Sequence, residues 1–350
     1  MDAAPDLTVV VLAWNTRDLA LRALRAVPAA VAPLSVRTIC VDNASTDATA
    51  AAVRAALPGV TVVESQSNVG FARGNALALP LAAGRYVVFL NSDAAPLPGS
   101  LAAVVREMDR RPKIGVASPR LLEPDGTPQR TSWGYPTPLA LLHDHTPLGW
   151  LGVGRAASAA VRHERRREET SGPVDAVAGA CLVIRKDLCD RLGGFDPGYR
   201  FYLEDVDLCW RARHAGYEVH VLADGPGVLH EGGASARQIE GALRLPFLLG
   251  LLRFLRRTQP RARYALFAPL FKAGVAVRAT WEVARAPFYF ALRRARGRPE
   301  RADRTLETAR VRLRFLERDL ATFLRARPEA PALAASISLA GPSAARPSPP

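Results

Sequence analysis

The first 115 residues alternate between short apolar segments and segments with helical periodicity. Apolar runs rich in β-branched residues predict four strands, at 7–14, 36–45, 60–65 and 85–94. Apolar residues that recur every three or four positions predict helices over 16–27, 46–57, 70–84 (a turn and a helix) and 98–111. Such alternation is typical of an α/β fold whose mostly parallel sheet is covered by helices on both faces.

After residue 115 the pattern is less regular. The next segments are predicted as a strand and hairpin (115–131), a long loop or lid (132–172), a buried strand with a short helix and a turn (174–196), and two strands (218–224 and 228–235). Asp125-Gly126 is the turn signal of the hairpin. The lid is expected because its Gly, Pro, His and Arg residues show only weak periodicity.

The chain is predicted to divide into one folded domain and a C-terminal extension. Residues 1–241 form the α/β domain, with a first half (1–115) and a second half (116–241). Residues 242–330 have a helical, basic and amphipathic pattern. The last residues, 331–350, are rich in Ala, Pro and Ser and are expected to be disordered.

The net charge of the chain is +14, which by itself suggests a protein that binds nucleic acid. The distribution of this charge changes the picture. Residues 1–249 contain 26 Lys/Arg and 26 Asp/Glu, whereas residues 250–330 contain 20 basic and 7 acidic residues. A neutral body therefore carries a basic C-terminal region, which indicates contact with a polyanionic surface, either nucleic acid or anionic lipid.

The cysteines and the apolar runs indicate where in the cell the protein is expected to be found. The spacing of Cys40, Cys181, Cys189 and Cys209 matches neither a metal site nor a disulfide framework, so we expect reduced, buried thiols in a cytosolic protein. The N-terminal segment lacks the features of a signal peptide. The apolar runs at 245–252 and 264–271 fall short of the about 18 residues of a membrane span, so we expect no crossing of a bilayer.

Polar residues follow three of the predicted strands. They are Asn15 after the first strand, Asp42 and Asn43 after the second, and Asn91, Ser92 and Asp93 after the fourth. Ligands of such sheets bind at the carboxyl ends of the strands, so these side chains are expected to line a crevice. Asp42 is expected to accept hydrogen bonds from a ribose or a base, although a helix N-cap is an alternative.

The segment NVGFARGN (68–75) combines a glycine turn with polar side chains. Gly70 is surrounded by Asn68, Arg73 and Asn75. Exposed backbone amides beside an arginine suit a phosphate or the edge of a base. The sequence lacks the P-loop pattern and also lacks G-x-G-x-x-G after the first strand, which argues against a dinucleotide-binding oxidoreductase.

Asp93 in FLNSDA (89–94) is a candidate ligand of a metal ion. A divalent cation that bridges a diphosphate takes one or two carboxylates together with phosphate oxygens and waters. His230 in LHEGGAS could complete this site, since imidazole binds Mn²⁺ well and Mg²⁺ less well. A solvated turn and a structural histidine are the alternatives for these two residues.

Three carboxylates lie within four positions of the segment FYLEDVDLCW: Glu204, Asp205 and Asp207. The helix dipole favours acidic residues in a first turn by about 0.3–1 kcal/mol each. A helix start explains acidic residues in general but not two adjacent ones, and perturbed carboxylates are frequent at functional sites. One of the three is therefore a candidate catalytic group.

Seven segments, taken in order, resemble the family-2 glycosyltransferases with the GT-A fold, and among them the rhamnosyltransferase-like group. They are VVVLAWN, VDNASTD, NVGFARGN, FLNSDA, GACLVIRKDL, GGFDPGYRFYLEDVDLCWRARHAGY and HEGGAS, within residues 7–235. The resemblance implies a Rossmann-like domain whose first half, 1–115, binds a nucleotide sugar. The second half, 116–241, would bind the acceptor and carry out catalysis.

The resemblance also implies roles for individual residues. Asp205 is the catalytic base beside Glu204, and Asp93 and His230 hold a divalent metal, Mg²⁺ or Mn²⁺. Asn91 stands where the family's D-x-D motif has its first acid, which leaves one carboxylate for the metal. We expect the nucleotide sugar to contact Asn15, Asp42, Asn43, Asn68, Gly70, Arg73, Asn75, Asn91 and Ser92, and the acceptor to contact Gly194, Asp207 and Trp210.

The implied function is that of an inverting glycosyltransferase, of the hexosyltransferase type, with rhamnose favoured and a nucleotide diphosphate as the carrier. The acceptor is expected to be a lipid-linked glycan of polysaccharide or cell-envelope synthesis. The Q-x-x-R-W signature of processive synthases is missing from the sequence, which favours a single addition per encounter.

The basic region 242–330 interleaves Arg with Leu, Phe, Trp and Tyr, as in helices that lie in a membrane interface. We therefore expect a cytoplasmic enzyme bound to the inner face of the cell membrane, without a nucleic-acid partner. Ordinary packing of these helices on the body is one alternative. The other is a non-catalytic nucleotide-binding α/β protein whose basic tail binds nucleic acid.

Overall fold

The computed structural model describes residues 4–162, 170–233, 240–297 and 299–327. The tail at 331–350, which is expected to be disordered, lies outside these residues. In chain order, strands β1 to β14 are Leu7–Ala13, Val36–Asp42, Thr61–Glu64, Tyr86–Asn91, Ala94–Pro96, Ile114–Pro119, Leu121–Leu122, Pro128–Gln129, Ser132–Trp133, Gly172–Pro173, Ala176–Val177, Cys181–Arg185, Glu218–Leu222 and Val228–His230.

The α-helices, α1 to α12 in chain order, are Arg17–Val31, Thr49–Ala56, Phe71–Ala76, Ser100–Arg110, Pro138–His145, Arg155–Val161, Lys186–Leu192, Glu204–His214, Glu240–Thr258, Arg261–Ala295, Pro299–Arg314 and Leu320–Arg325. Short 3₁₀ segments lie at Leu79–Leu81 and Pro147–Leu151, and a π-helical turn at Phe315–Asp319 joins the last two helices. The helices predicted in the first 115 residues are therefore present, with shifted ends.

The central sheet of the described residues has the strand order β10-β13-β6-β12-β4-β1-β2-β3. β1 pairs in parallel with β2 and β4, and β2 pairs in parallel with β3. β12 runs antiparallel to both of its neighbours, β4 and β6. The predicted α/β fold is confirmed, with a parallel first half and a mixed sheet as a whole.

Helices cover both faces of this sheet because its central strands are buried on both faces. Side chains of a strand point alternately to opposite faces. In β1, Val10 packs in the same cluster as Leu252 of α9. Val9 and Val11 pack in the opposite cluster, with Leu24 of α1. The four cysteines are buried, as the sequence predicts.

A second sheet brings two distant parts of the chain together. It has the order β5-β14-β7-β8. β14 pairs antiparallel with β5, and this register sets His230 opposite Ala94. The N–H of Glu231 also donates to the carbonyl of Asp93 at 3.0 Å. Strand pairing therefore carries His230 to the turn that holds Asp93.

The prediction of a long loop at 132–172 is wrong for the part of that segment the structure describes. It contains β9, α5, a 3₁₀ segment and α6. Pro138 occupies the first turn of α5, where its missing N–H costs nothing, and Thr137 Oγ1 accepts the N–H of Ala140 at 3.3 Å. The helix escapes detection because only Ala140 and Leu141 are buried, too few for a periodic pattern.

The predicted C-terminal helical region is confirmed, and its first helix belongs to the core. Leu248, Leu252 and Phe254 of α9 are fully buried in the cluster that covers one face of the central sheet. Arg253 and Arg257 of the same helix form ion pairs with carboxylates of the body. None of the helices that the structure describes is long and apolar enough to span a bilayer.

Candidate active site

A cleft lies at the carboxyl ends of β1, β2 and β4, where such sheets bind their ligands. Its volume is ≈ 190 Å³. The lining includes seven residues expected from the sequence: Asn43, Asn68, Gly70, Asn91, Ser92, Asp93 and His230. Four segments that are far apart in the sequence are thus brought to one place.

Asn43 joins the loop after β2 to the loop before α3. Its Nδ2 donates to Asn68 Oδ1 at 3.0 Å, and its Oδ1 accepts the N–H of Val69 at 3.0 Å. Asn68 Oδ1 also accepts the N–H of Gly70 at 3.0 Å. Gly70 has φ +84°, and a Cβ there would lie 2.6 Å from the carbonyl oxygen of Arg200. Only glycine fits this wall of the cleft.

Four residues expected to contact the nucleotide sugar lie outside the cleft lining: Asn15, Asp42, Arg73 and Asn75. Asn15 Oδ1 accepts the N–H of Thr46 at 2.7 Å. Asp42 Oδ1 accepts the N–H of Ser45 at 3.0 Å and so closes a turn, but it does not cap α2, whose N-cap residue is Ala48. Asn15 thus joins the loop after β1 to the loop after β2, and Asp42 stabilises the loop after β2. A direct contact of either side chain with a ligand stays a prediction.

Arg73 and Asn75 are engaged by backbone carbonyls. Arg73 Nε donates to the carbonyl of Pro197 at 3.3 Å. Asn75 is buried within α3, and its Nδ2 donates to the carbonyl of Phe71 at 3.0 Å. Their contacts give both residues a part in the frame of the cleft, since Phe71 lines it.

Asp93, His230 and Gln129 form a connected polar group. His230 Nε2 lies 3.4 Å from Asp93 Oδ1, and His230 Nδ1 lies 2.7 Å from Gln129 Oε1. Gln129 Nε2 donates to the carbonyl of His230 at 3.2 Å, so Gln129 Oε1 is the atom that faces the ring. Nδ1 therefore donates to Gln129 Oε1, and Nε2 is the ring nitrogen that faces Asp93.

This pair of side chains fits a divalent cation. His230 Nε2 is buried and has no hydrogen-bond partner in the part of the chain that the structure describes. Within the same part, no group of three or more His, Cys, Asp or Glu could hold a metal ion. A cation bound by Asp93 and His230 therefore needs phosphate oxygens and waters to complete its coordination, as is usual for Mg²⁺ bound with a diphosphate.

A larger cavity, which we call the chamber, adjoins the cleft. Its volume is ≈ 820 Å³. Glu204 and Asp205, at the start of α8, line the chamber. The chamber and the cleft share Phe71, Asn91, Phe201, Tyr202 and His230. The carboxylate pair and the candidate metal ligands thus line two cavities that meet.

Backbone donors fix the carboxylate of Asp205. Its Oδ2 accepts the N–H of Gly179 at 2.9 Å, and its Oδ1 accepts the N–H of Val206 at 2.8 Å. Gly179 lies before β12, so the central sheet itself positions this side chain. A fixed carboxylate that lines a cavity large enough for a substrate is what a general base requires.

The two adjacent carboxyl groups differ in their protonation. Burial raises the pKa of Glu204 well above its usual value, the charge of Asp205 adds to this effect, and Glu204 Oε2 has no hydrogen-bond partner in the described residues. Burial also raises the pKa of Asp205, but the N–H donors of Gly179 and Val206 oppose the change. Glu204 is therefore the member of the pair that takes up a proton more readily, and Asp205 is the one whose charged form the backbone stabilises.

The three residues expected to contact the acceptor, Gly194, Asp207 and Trp210, lie outside both cavity linings. Asp207 is fully buried. Its oxygens accept from the hydroxyl of Tyr199 at 3.1 Å, from Arg211 Nε at 2.7 Å and from Arg257 Nη1 at 2.6 Å. This network joins α8 to α9, so the geometry gives Asp207 a structural role instead of the expected contact.

Gly194 and Trp210 lie close to the network around Asp207. The carbonyl of Gly194 accepts from Arg211 Nη2 at 2.8 Å. The ring of Trp210 stacks on His214, with the ring centres 3.7 Å apart. The expectation for these residues rested on their position in a segment next to the catalytic pair, and the segment turns them away from the chamber.

For several residues of the site, no pattern in the sequence indicates a functional role. Gly179 acts through one hydrogen bond to Asp205 and Gln129 through two to His230, and both partners are distant in the chain. Tyr202 and the following Leu203 have φ values of 67° and 73°, in the left-handed region, immediately before Glu204 and Asp205. Such backbone strain at residues other than glycine is frequent at functional sites.

The model of one protein family, described as Glycosyl transferase family 2, matches residues 8–193, which is more than half of the chain. The chain belongs to this family. The match runs from β1 to the end of α7, and the resemblance read from the sequence is confirmed. Family membership also favours an enzyme over a non-catalytic nucleotide-binding protein.

Two curated relatives carry rhamnosyltransferase names. The N-acetylglucosaminyl-diphospho-decaprenol L-rhamnosyltransferase of Mycobacterium tuberculosis is 32% identical over 211 residues, 57% of this chain and 66% of the relative. Rhamnosyltransferase WbbL of Escherichia coli is 45% identical over 49 residues, 14% of this chain and 19% of the relative. The chain thus covers less than two thirds of the length of these relatives.

Solved structures of glycosyltransferases are also similar. The mannosyltransferase PcManGT from Pyrobaculum calidifontis, in complex with GDP-Man and Mn²⁺, aligns with 91% of this chain and 88% of its own, at 18% identity and a TM-score of 0.49. At this level of similarity, nothing about the ligands of the present chain is inferred from it.

Proposed function

We propose that this family member is an inverting glycosyltransferase that moves a sugar, with rhamnose favoured, from a nucleotide diphosphate to a hydroxyl of a lipid-linked glycan. One observation carries the proposal: the cleft with Asp93 and His230 meets the chamber, whose lining includes the fixed carboxylate of Asp205. Inverting transfer requires a base on the acceptor side and charge-neutralising groups on the side of the leaving group.

The proposed reaction uses Asp205 as the proton acceptor. The oxygen of the acceptor hydroxyl forms a bond to the anomeric carbon while the bond from that carbon to the phosphate oxygen breaks. The hydroxyl proton passes to Asp205, and the bonding electrons leave with the nucleoside diphosphate. Attack from the face opposite the leaving group inverts the anomeric configuration. Burial raises the pKa of Glu204 well above its usual value, so in its protonated form Glu204 can donate a hydrogen bond and does not compete for the proton.

The cleft is proposed to bind the nucleotide diphosphate. Asp93 and His230 would hold a divalent cation, Mg²⁺ or Mn²⁺, which neutralises the charge of the leaving diphosphate when it is bound. Gln129 keeps His230 Nε2 available as a ligand. Asn91 Oδ1 is buried at the junction of the two cavities without a hydrogen-bond partner in the described residues, and is proposed to accept from a sugar hydroxyl.

The names of the relatives support the choice of sugar and acceptor. Both relatives are named rhamnosyltransferases, and the mycobacterial one is named for a sugar diphosphate attached to a polyprenol. We therefore favour a rhamnosyl donor, a lipid-linked acceptor and a role in the synthesis of cell-envelope polysaccharide.

One face of α10 supports a site of action at a membrane surface. Leu266, Leu270, Val277, Trp281 and Phe288 follow one another at intervals of four and seven residues and are 53% to 72% exposed. We call this face the exposed stripe of α10. An exposed apolar face on a basic helix is typical of helices that lie in the interface of an anionic bilayer.

The 3₁₀ segment at Pro147–Leu151 continues the exposed stripe. The ring centres of Trp150 and Trp281 are 6.2 Å apart, and Leu151 is 79% exposed. Arg278 and Arg285 lie over the ring of Trp150, at 6.0 and 5.5 Å from its centre. Aromatic rings with arginines beside them suit the boundary between acyl chains and anionic headgroups. We therefore propose that the enzyme acts at the inner face of the cell membrane.

A panel of donors tests the proposed function. The purified protein is incubated with a prenyl-diphosphate-linked acceptor and with TDP-rhamnose, UDP-sugars or GDP-sugars, with and without Mn²⁺ or Mg²⁺. We expect nucleoside diphosphate release that depends on both donor and acceptor, and a product whose anomeric configuration is inverted by NMR. Retention of configuration, or the absence of transfer from every donor, contradicts the proposal.

A further inference from the structure

The chamber has a largely apolar wall that the transfer of a sugar does not require. The wall includes Trp133, Pro136, Ala140, Leu141, Phe247 and Leu251. The volume of ≈ 820 Å³ falls in the range of about 300–1,000 Å³ of sites that enclose drug-sized ligands. An acceptor sugar presents hydroxyl groups over most of its surface, so it leaves this wall without a matching partner.

Two arginines line the same chamber. The guanidinium of Arg130 lies 4.8 Å from the centre of the Trp133 ring. Arg162 Nη1 donates to Asp144 Oδ1 at 2.9 Å. His145 adds no charge at neutral pH, because burial lowers its pKa to about 4. Asp144 also lines the chamber and balances the charge of Arg162, so Arg130 is the cation beside the apolar wall that complements a ligand joining an anionic group to a hydrocarbon chain.

We propose that the chamber binds the lipid-diphosphate part of the acceptor. The first isoprene units of the prenyl chain pack on the apolar wall, and the diphosphate lies beside Arg130. The chamber also contains Asp205, so its occupant must be attached to the attacking hydroxyl, and a lipid-linked sugar meets this condition. This inference rests on the proposed function and replaces Gly194, Asp207 and Trp210 as the expected acceptor contacts.

Three acceptors that share one sugar separate the parts of the chamber. The first carries the sugar on a prenyl diphosphate, the second on methyl diphosphate, and the third is the methyl glycoside without phosphate. For the wild-type protein we expect a KM for the prenyl acceptor at least about tenfold below that for the methyl diphosphate, the effect of burying roughly two methylene groups. The glycoside is expected to have the highest KM.

Substitutions in the wall then test where the prenyl chain lies. Ala140→Phe fills part of the chamber and is expected to raise the KM of the prenyl acceptor by about tenfold, to the value of the methyl diphosphate, without changing the other two. Leu139→Phe is the matched control, since Leu139 is 55% exposed and lies outside the chamber lining. Val161→Phe repeats the test at a half-buried position of the lining if the first variant does not fold.

Arg130→Gln tests the diphosphate separately. Because both diphosphate acceptors share this group, the variant is expected to raise the KM of both by a similar factor and to leave the glycoside unchanged.

A wild-type protein without preference for the prenyl chain overturns the inference while transfer stays intact. The same holds if Ala140→Phe and Val161→Phe change the KM of the prenyl and methyl diphosphates equally, or if Arg130→Gln affects the glycoside as strongly as the diphosphates. Absence of transfer to all three acceptors from every donor overturns the proposed function and, with it, this inference.

Discussion

Glu204 and Asp205 are neighbours in the sequence, but their surroundings give them different chemistry. Asp205 receives two backbone N–H groups, whereas Glu204 Oε2 is buried without a hydrogen-bond partner in the described residues. Unpaired burial favours the neutral form of a carboxyl group, and donated hydrogen bonds favour the charged form. The surroundings thus favour the neutral form of Glu204 more than that of Asp205, as the proposed role of Asp205 as the base requires.

This difference predicts a pH dependence of stability. The pKa of Glu204 is raised in the folded protein, so its contribution to stability is fully present below the pKa of the unfolded chain and is lost as pH rises through the folded pKa. Glu204→Gln stays neutral, so the variant is expected to gain stability relative to the wild type as pH rises above about 4.3, the usual pKa of glutamate. Urea denaturation of both proteins over a pH series measures the difference, and parallel profiles contradict the assignment.

Asp207 is expected to act through stability. It is fully buried and pairs with Arg211 and Arg257, so Asp207→Asn leaves Arg211 without its counter-charge and Arg257 with Asp196 as its remaining partner. We expect a loss of about 3–5 kcal/mol in the free energy of unfolding, the usual cost of breaking a buried ion pair. The control is Asp187→Asn, whose exposed pair with Arg191 is worth about 0–1 kcal/mol. A loss no larger than that of the control in urea denaturation contradicts the structural role.

Asp93 is expected to determine the effect of metal on donor binding. Asp93→Ala removes the carboxylate that faces His230 Nε2, so the variant is expected to lose the gain in donor affinity that Mn²⁺ or Mg²⁺ provides to the wild type. Asn91→Asp, which adds a carboxylate nearby, is expected to be tolerated. Calorimetric titrations of the donor with and without metal measure the metal-dependent gain in affinity, and circular dichroism checks that each variant is folded. Equal metal-dependent binding by Asp93→Ala and the wild type refutes the assignment.

At the scale of elements, long and regular segments could be predicted and short ones could not. β1, β2 and β4 are buried apolar runs, and they bring the residues that follow them to one edge of the sheet. β5 and β14 have three residues each, too few to produce a pattern. Since these two strands carry Asp93 and His230 together, periodicity could not show the proximity of the pair, and a shared metal site was one alternative from the residues until the family resemblance favoured it.

The chamber could not be predicted from the sequence for a related reason. Its apolar wall combines β9 and α5 with α9, two parts of the chain that contact each other only in the folded protein. α5 shows little periodicity, and the basic residues of α9 suggested a surface helix. The sequence therefore placed the acceptor next to the catalytic pair, on Asp207 and Trp210, where the chain turns inward.

The exposed stripe of α10 predicts binding to anionic vesicles. The full-length protein is expected to co-sediment with such vesicles, less so as salt rises, because the attraction is screened over about 8–10 Å. The double variant Trp281→Ser, Phe288→Ser is expected to reduce binding several-fold, since both side chains are more than half exposed on this face. The control is Leu81→Ser, at an exposed leucine of the first half of the chain.

Unchanged binding of the double variant contradicts the membrane face. A wild-type protein that ignores vesicles but binds DNA with a steep salt dependence restores the nucleic-acid alternative. The test keeps α9 in place, because Leu248, Leu252 and Phe254 belong to the main core and a truncation before them removes part of it.

At the scale of the whole molecule, the sequence divides into a neutral body and a basic extension, but the two parts are joined in the folded protein by ion pairs. Arg253 and Arg257 neutralise Asp196 and Asp207 of the body, and Arg312 pairs with Glu282. Part of the positive charge counted in the sequence therefore holds the C-terminal helices to the body and to each other. The remainder is what a membrane surface can attract.

The central claim is that Asp205 takes the proton of the acceptor hydroxyl, and steady-state kinetics of Asp205→Asn test it most directly. The variant keeps the size of the side chain but cannot accept the proton, so we expect kcat to fall by roughly 10²–10⁴-fold while donor affinity is nearly unchanged. Glu204→Gln, measured alongside, is expected to lose less and to act mainly on the KM of the acceptor. Near-normal turnover by Asp205→Asn would contradict the claim and place the base elsewhere.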